Sequence, residues 1–178
     1  MSQKTFQTKK LVATALFTAL TMIATLLVQI PLPLGYIHLG DGLVFLSVFI
    51  LGPVWGTVAA GVGSALADVF AYATYAPATL IIKAAMAFLA WLVQQALYKT
   101  TKRRMFAEIA AGIVGALVMA FGYFLFETLL ISTAGVAIVN VPWNLLQGGI
   151  GVAVSVAVMR LLIATKVLNS KLFSDNDK

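Results

Sequence analysis

Residues 78–104 read ATLIIKAAMAFLAWLVQQALYKTTKRR, and this stretch decides the fold. Ala78–Tyr98 is apolar for about 20 residues, the length of one α-helical membrane crossing. It contains one cation, Lys83, near its start, and it stops against Lys99, Lys102, Arg103 and Arg104. Basic residues gather at the cytoplasmic ends of spans, so the cluster marks this segment's inner end. Lys83 therefore falls toward the outer side. A charge inside a span is costly and usually belongs to a solute site or pathway.

Composition extends that reading to the whole chain. The 178 residues are 61% hydrophobic and 10% charged, whereas soluble domains carry about 25% charged residues. The mean hydropathy is +1.00. About six short spans fit, with no room for a soluble domain. The net charge of +6 sits mostly at span ends, which fits a membrane rather than nucleic acid. There is no Cys and one His, which removes disulfides, thiolate metal sites and Cys nucleophiles, and leaves no His-rich metal site.

The expected fold is an all-α integral membrane protein of six transmembrane helices, with both termini cytoplasmic and a short second helix. Residues 1–10 form a cytoplasmic N-terminal segment that is retained, since the apolar run after it is too long for a signal peptide core. The membrane domain covers 11–165, and 166–178 is a cytoplasmic tail. The spans are read at 11–30, 41–51, 54–70, 78–98, 106–131 and 143–165. Pro31-Leu-Pro-Leu-Gly35 breaks the first helix, and Gly52-Pro53 ends the second. A loop containing Gly135 and Pro142 separates the last two spans. The third span is rich in small residues such as Gly56, Ala59, Ala60, Gly61 and Gly63, which let helix backbones approach. This arrangement puts 11 of the 12 basic residues on the inner side, all but Lys83.

The same arrangement gathers polar residues at the outer side. His38, Asp41, Asp68, Lys83, Glu127, Asn140, Asn144 and Gln147 fall in the outer loops or the adjoining helix turns, with Tyr36, Tyr72, Tyr75 and Trp143 among them. They form an expected outward-facing pocket. Bland readings exist for several. Asp68 and Lys83 pair as a structural ion pair, Asp41 serves as an N-cap, and the aromatic residues belong to an interfacial belt. Asn144 and Gln147 share a helix face and bond either a heterocycle edge or another helix. Glu127 lies inside an apolar helix and should point into the bundle. Three carboxylates against one Lys leave two negative charges in excess, which favours a neutral or cationic heterocycle. On the first helix, Ala15-Leu-Phe-Thr-Ala19 is a small-xxx-small pattern suited to helix docking, within the bundle or on a partner.

The chain has no phosphate-binding loop, H-E-x-x-H or G-x-S-x-G motif, and inverted repeats are not evident. At this point it resembles the substrate-binding S components of energy-coupling factor (ECF) vitamin transporters. The likeness rests on Ala15-xxx-Ala19, His38-Leu-Gly-Asp41, Leu51-Gly-Pro53, Gly61-Val-Gly-Ser-Ala-Leu-Ala-Asp68 and Tyr75-Ala-Pro-Ala-Thr-Leu-Ile-Ile-Lys83. These resemble the riboflavin-type and hydroxymethylpyrimidine- or pyridoxine-type branch. The resemblance implies a vitamin binder in the plasma membrane of a prokaryote, neither an enzyme nor cofactor-dependent. It implies docking through Ala15 and Ala19 on a transmembrane coupling subunit, EcfT, with two ATPase subunits, and toppling to deliver the solute. Hydroxymethylpyrimidine or pyridoxine is the expected solute, with riboflavin or pantothenate as alternatives. Two further readings stay open: a solitary proton- or ion-coupled carrier using Asp68, Lys83 and Glu127, and a membrane enzyme using His38, Asp41 and Asp68.

Overall fold

The computed structural model describes residues 3–32 and 35–166. Six long or medium helices form a bundle: α1 (Gln3–Leu27), α2 (Gly40–Leu51), α3 (Pro53–Ala71), α4 (Ala76–Thr101), α5 (Arg104–Phe126) and α6 (Ala134–Ala164). A π-helical turn, Glu127–Ile131, extends α5, and β1 (Ile30–Pro31) pairs antiparallel with β2 (Tyr36–Ile37). Of the tail expected at 166–178, only Lys166 is among the described residues. Pro33 of the expected helix-breaking segment, Lys171 and Lys178 lie outside them.

Among the described residues, five helices are long and apolar enough to cross a membrane, and α2 is the short exception. Its 12 residues make a rod of about 18 Å. A helix apolar all round must be buried on every side, and α2 is enclosed by α1, α3, α4 and α6. Val44, Phe45 and Val48 of α2 meet Met86 of α4 and Met119 of α5 in the main core. The α2–α3 corner needs Gly52, whose φ of 84° is left-handed. Its N–H closes α2 on the Val48 carbonyl at 3.1 Å, and Pro53 then opens α3.

The small residues of α3 are used for close packing. A Cβ at Gly63 would lie 2.7 Å from the Thr18 carbonyl oxygen of α1, and one at Gly61 would lie 2.9 Å from the Leu80 carbonyl oxygen of α4. By contrast, Ala15 and Ala19 are exposed on the outer face of α1, beside Leu11, Val12, Leu16 and Leu20. The bundle does not use the alanine face.

Two features depart from the sequence reading. The stretch 132–142, expected as a loop, is a loop only at Ser132 and Thr133; α6 starts at Ala134 and carries Pro142 inside it. Proline is tolerated in helices with apolar surroundings, because neighbouring groups re-satisfy the freed backbone. The second departure is a short antiparallel pairing, in which Ile30 faces Ile37 and Pro31 faces Tyr36.

Candidate functional site

Helix ends and loops converge where the hairpin sits. There α2 begins, α3 ends, α4 begins, α5 ends in its π turn and α6 begins. Asp41 lies in the first turn of α2 and Lys83 two turns into α4. They form an ion pair with both side chains fully buried. Lys83 Nζ also lies 2.8 Å from Met119 Sδ and 5.7 Å from the centre of the Tyr123 ring. The sequence left a pair with Asp68 open; Asp41 takes Lys83 instead, because α2 is inserted between α4 and α6. Asp41 is not an N-cap either. Leu39 holds that position, without a side-chain cap bond. Gly151 lets α6 lie against Asp41, where a Cβ would fall 2.7 Å from the Asp41 Cβ.

Gln147 ties this pair to the chain entering α2. Its Nε2 donates to Asp41 Oδ2 at 2.9 Å, and its Oε1 accepts the His38 N–H at 3.0 Å. His38 Nδ1 accepts the Gly40 N–H at 3.1 Å, so that nitrogen carries no proton. Burial pushes the His38 pKa down to about 4; nearby Asp41 opposes the shift and Lys83 adds to it. His38 is therefore neutral at physiological pH.

A second carboxylate stands over this layer. Asp68 accepts the Tyr36 hydroxyl at 2.7 Å and the Thr79 hydroxyl on its other oxygen. Thr79 has spent its one proton on Asp68, so Tyr123 must donate to Thr79 Oγ1, 2.9 Å away. Burial and the bond to Asp68 raise the Tyr36 pKa, so Tyr36 remains a donor.

The third carboxylate is Glu127, only 2% exposed at the start of the π turn. Its Oε1 accepts Asn140 Nδ2 at 3.2 Å and the Tyr75 hydroxyl at a long 3.5 Å. Burial, then the Glu127 charge, raises the Tyr75 pKa. Glu127 Oε2 has no hydrogen-bond partner.

These groups surround a cleft that opens at the hairpin end of the bundle. Of the residues expected in the site, His38, Asp68, Tyr72, Tyr75, Glu127, Asn144 and Gln147 line it. Asp41, Lys83 and Asn140 lie behind the lining, as the buried groups that hold it. Trp143 is exposed and is not among the lining residues. The sequence reading missed Tyr123 and Thr79, and named Tyr36 only as a neighbour. Tyr123 precedes Glu127 by four residues, so helical spacing could have found it. Tyr36 stacks on Tyr72 with ring centres 5.2 Å apart. Lys83 pairs with Asp41, which leaves Asp68 and Glu127 as the cleft carboxyls without a cation in any ion pair among the described residues.

One buried ionisable group lies at the other end. Glu108 is fully buried and pairs with Arg104, at 3.0 Å from Nε, and with Arg160. The sequence reading, which gathered its candidate polar residues at the outer side, did not single it out. Arg104 and Glu108 stand at i, i+4 spacing, which is the available signal.

Comparison with known proteins follows the same outline. The family model described as ECF-type riboflavin transporter, S component, matches residues 5–167. A Pyrococcus woesei protein, described as an uncharacterized protein in the gap 3′ region, is 38% identical over 104 residues, 57% of this chain. The match spans 66% of that relative's length. A solved structure titled "Structure and mechanism of the S component of a bacterial ECF transporter" superposes with a TM-score of 0.63. It covers 93% of this chain and 99% of its own at 23% identity, a likeness of fold.

Two outcomes test the buried layer. Lys83→Met leaves Asp41 buried and unpaired, and should destabilise the bundle by about 3–5 kcal/mol in detergent melts. Adding Asp41→Asn should recover most of that loss; a single variant as stable as the parent contradicts the ion pair. His38 binds its proton below about 4 when folded and near 6.5 when unfolded. Between those values the unfolded state holds more protons, so His38 makes stability fall as pH falls from 6.5 to 4. Comparing melting temperatures of the parent and His38→Gln across that range should show a shallower slope in the variant. Parallel slopes would contradict a buried neutral imidazole.

Proposed function

Because the chain belongs to the S-component family of ECF-type transporters, we propose that it is the substrate-binding subunit of such a transporter and captures a small water-soluble vitamin in the hairpin-end cleft. The observation that carries the reading is the cleft itself. Tyrosines offer faces for stacking a flat ring, two carboxylates exceed the available cations, and polar amides stand at fixed positions. Such a site favours a neutral or cationic nitrogen heterocycle. The leading solutes are hydroxymethylpyrimidine and pyridoxine. Pantothenate is disfavoured because its carboxylate would face Asp68 and Glu127. Riboflavin is the second reading, favoured by the description of the matching family model.

The membrane arrangement proposed with it has six spans, both termini in the cytoplasm and the cleft facing outward in a prokaryotic plasma membrane. The Lys and Arg distribution supports this orientation. The sites proposed for the solute are His38, Asp68, Tyr72, Tyr75, Glu127, Asn144 and Gln147, with Asp41, Lys83 and Asn140 supporting them from behind. Ala15 and Ala19 serve as the docking face for the coupling subunit EcfT, which works with two ATPase subunits. Their exposure supports that use, since small residues without a partner in the bundle leave room for one outside it. The bundle surface is otherwise studded with exposed Leu, Val, Ile and Phe, a surface that lipid tolerates at any tilt, as toppling of the subunit requires.

The division of labour gives a direct test. The purified chain alone should bind a pyridine or pyrimidine vitamin with submicromolar Kd, followed by Trp fluorescence or calorimetry. Uptake into liposomes should require the coupling subunit and the ATPases. Ala15→Trp should abolish co-purification with the coupling subunit and leave binding intact. Uptake driven by a pH gradient with this chain alone would favour the solitary carrier instead.

A further inference from the structure

The π turn at the end of α5 has one use that the bundle's own bonding does not explain. A π turn is rare and is frequently found at functional sites. Here it starts at Glu127 and closes with the Ser132 N–H on the Glu127 carbonyl at 2.7 Å. The Glu127 side chain reaches the cleft lining from a position only 2% exposed. Its two oxygens are unequal. Oε1 has Asn140 and Tyr75 as donors, while Oε2 has none. The cation of the region is already committed, because Lys83 pairs with Asp41. A buried carboxylate oxygen without a donor costs stability, and such an orphan group calls for a specific explanation.

We propose that Glu127 Oε2 is the specificity-determining acceptor of the site, receiving a hydrogen bond from a ring amino group or protonated ring nitrogen of the solute. This rests on the reading of the chain as a solute-binding subunit. A ring seated between the tyrosines would turn a donor edge toward Oε2 and form a charge-assisted bond in a largely water-free setting. A ring that turned a carbonyl edge to the same place would set lone pairs against lone pairs. Sites built around one hydrogen bond reject analogues lacking it strongly, since the buried group is then left unpaired. The solute class is accordingly an aminopyrimidine or a basic pyridine rather than an oxo-pyrimidine.

The test is calorimetry on the purified full chain with two probes, 4-amino-5-hydroxymethyl-2-methylpyrimidine and its 4-oxo counterpart, with riboflavin and pantothenate as controls. The wild type should prefer the amino compound by about tenfold or more. In Glu127→Gln, whose amide can donate, the preference should vanish or reverse. Equal wild-type affinity for the two pyrimidines overturns the proposal without any variant, as does a preference that Glu127→Gln leaves unchanged. Binding of riboflavin or pantothenate alone overturns the role of Glu127 and leaves the binding subunit standing. A folded chain that binds none of the four overturns both.

Discussion

The Asp41–Lys83 pair is the interaction on which the rest of this structure depends. Removing two charges from water is expensive, and their attraction offsets the cost only when geometry and further hydrogen bonds are favourable. Both side chains are fully buried, so α2 and α4 must hold their register. Gln147 fixes α6 to the same carboxylate, and its other end fixes the backbone entering α2. One ion pair thus sets the relative positions of three helices and of the segment that follows the hairpin. A helix as apolar as α2 could otherwise rotate among its neighbours at little cost. The charge at its first turn gives it one orientation.

Above that layer, the polar groups become progressively less self-sufficient. Asp41 has a cation and an amide, Asp68 has two hydroxyls, and Glu127 has one oxygen without a donor. The gradient runs from structural bonding deep in the bundle to unused bonding capacity at the cleft. The opposite end shows what a purely structural charge looks like: Glu108 is matched by Arg104 and Arg160. The two ends thus differ: one carboxylate is matched by cations, whereas Asp68 and Glu127 at the other have none among the described residues.

Much of this was legible in the sequence, for physical reasons. Spans of about 20 apolar residues and their breaks at Gly52-Pro53 and at the 99–104 cluster placed most helices to within a few residues. The isolated ionisable residues gather at the end of the bundle where the cleft lies, since a charge within an apolar run has few alternatives to an interior position. Pairing was not legible. Whether Lys83 meets Asp68 or Asp41 depends on how α2 packs, which no local pattern encodes. Pro142 misled because its usual role as a helix breaker weakens in apolar surroundings. Tyr36 reaches Asp68 only because two-residue strands fold back, and strands that short leave no periodicity to read.

The central claim is that the cleft at the hairpin end receives a vitamin-like solute. The absence of Cys from the chain makes one measurement especially direct. Asn144→Cys places a single thiol in the cleft lining, where a water-soluble thiol reagent can report its accessibility with and without the tightest-binding vitamin. The account predicts ready labelling of the empty protein and strong protection at saturating vitamin. Labelling at the same rate in both states, or none in either, would contradict it.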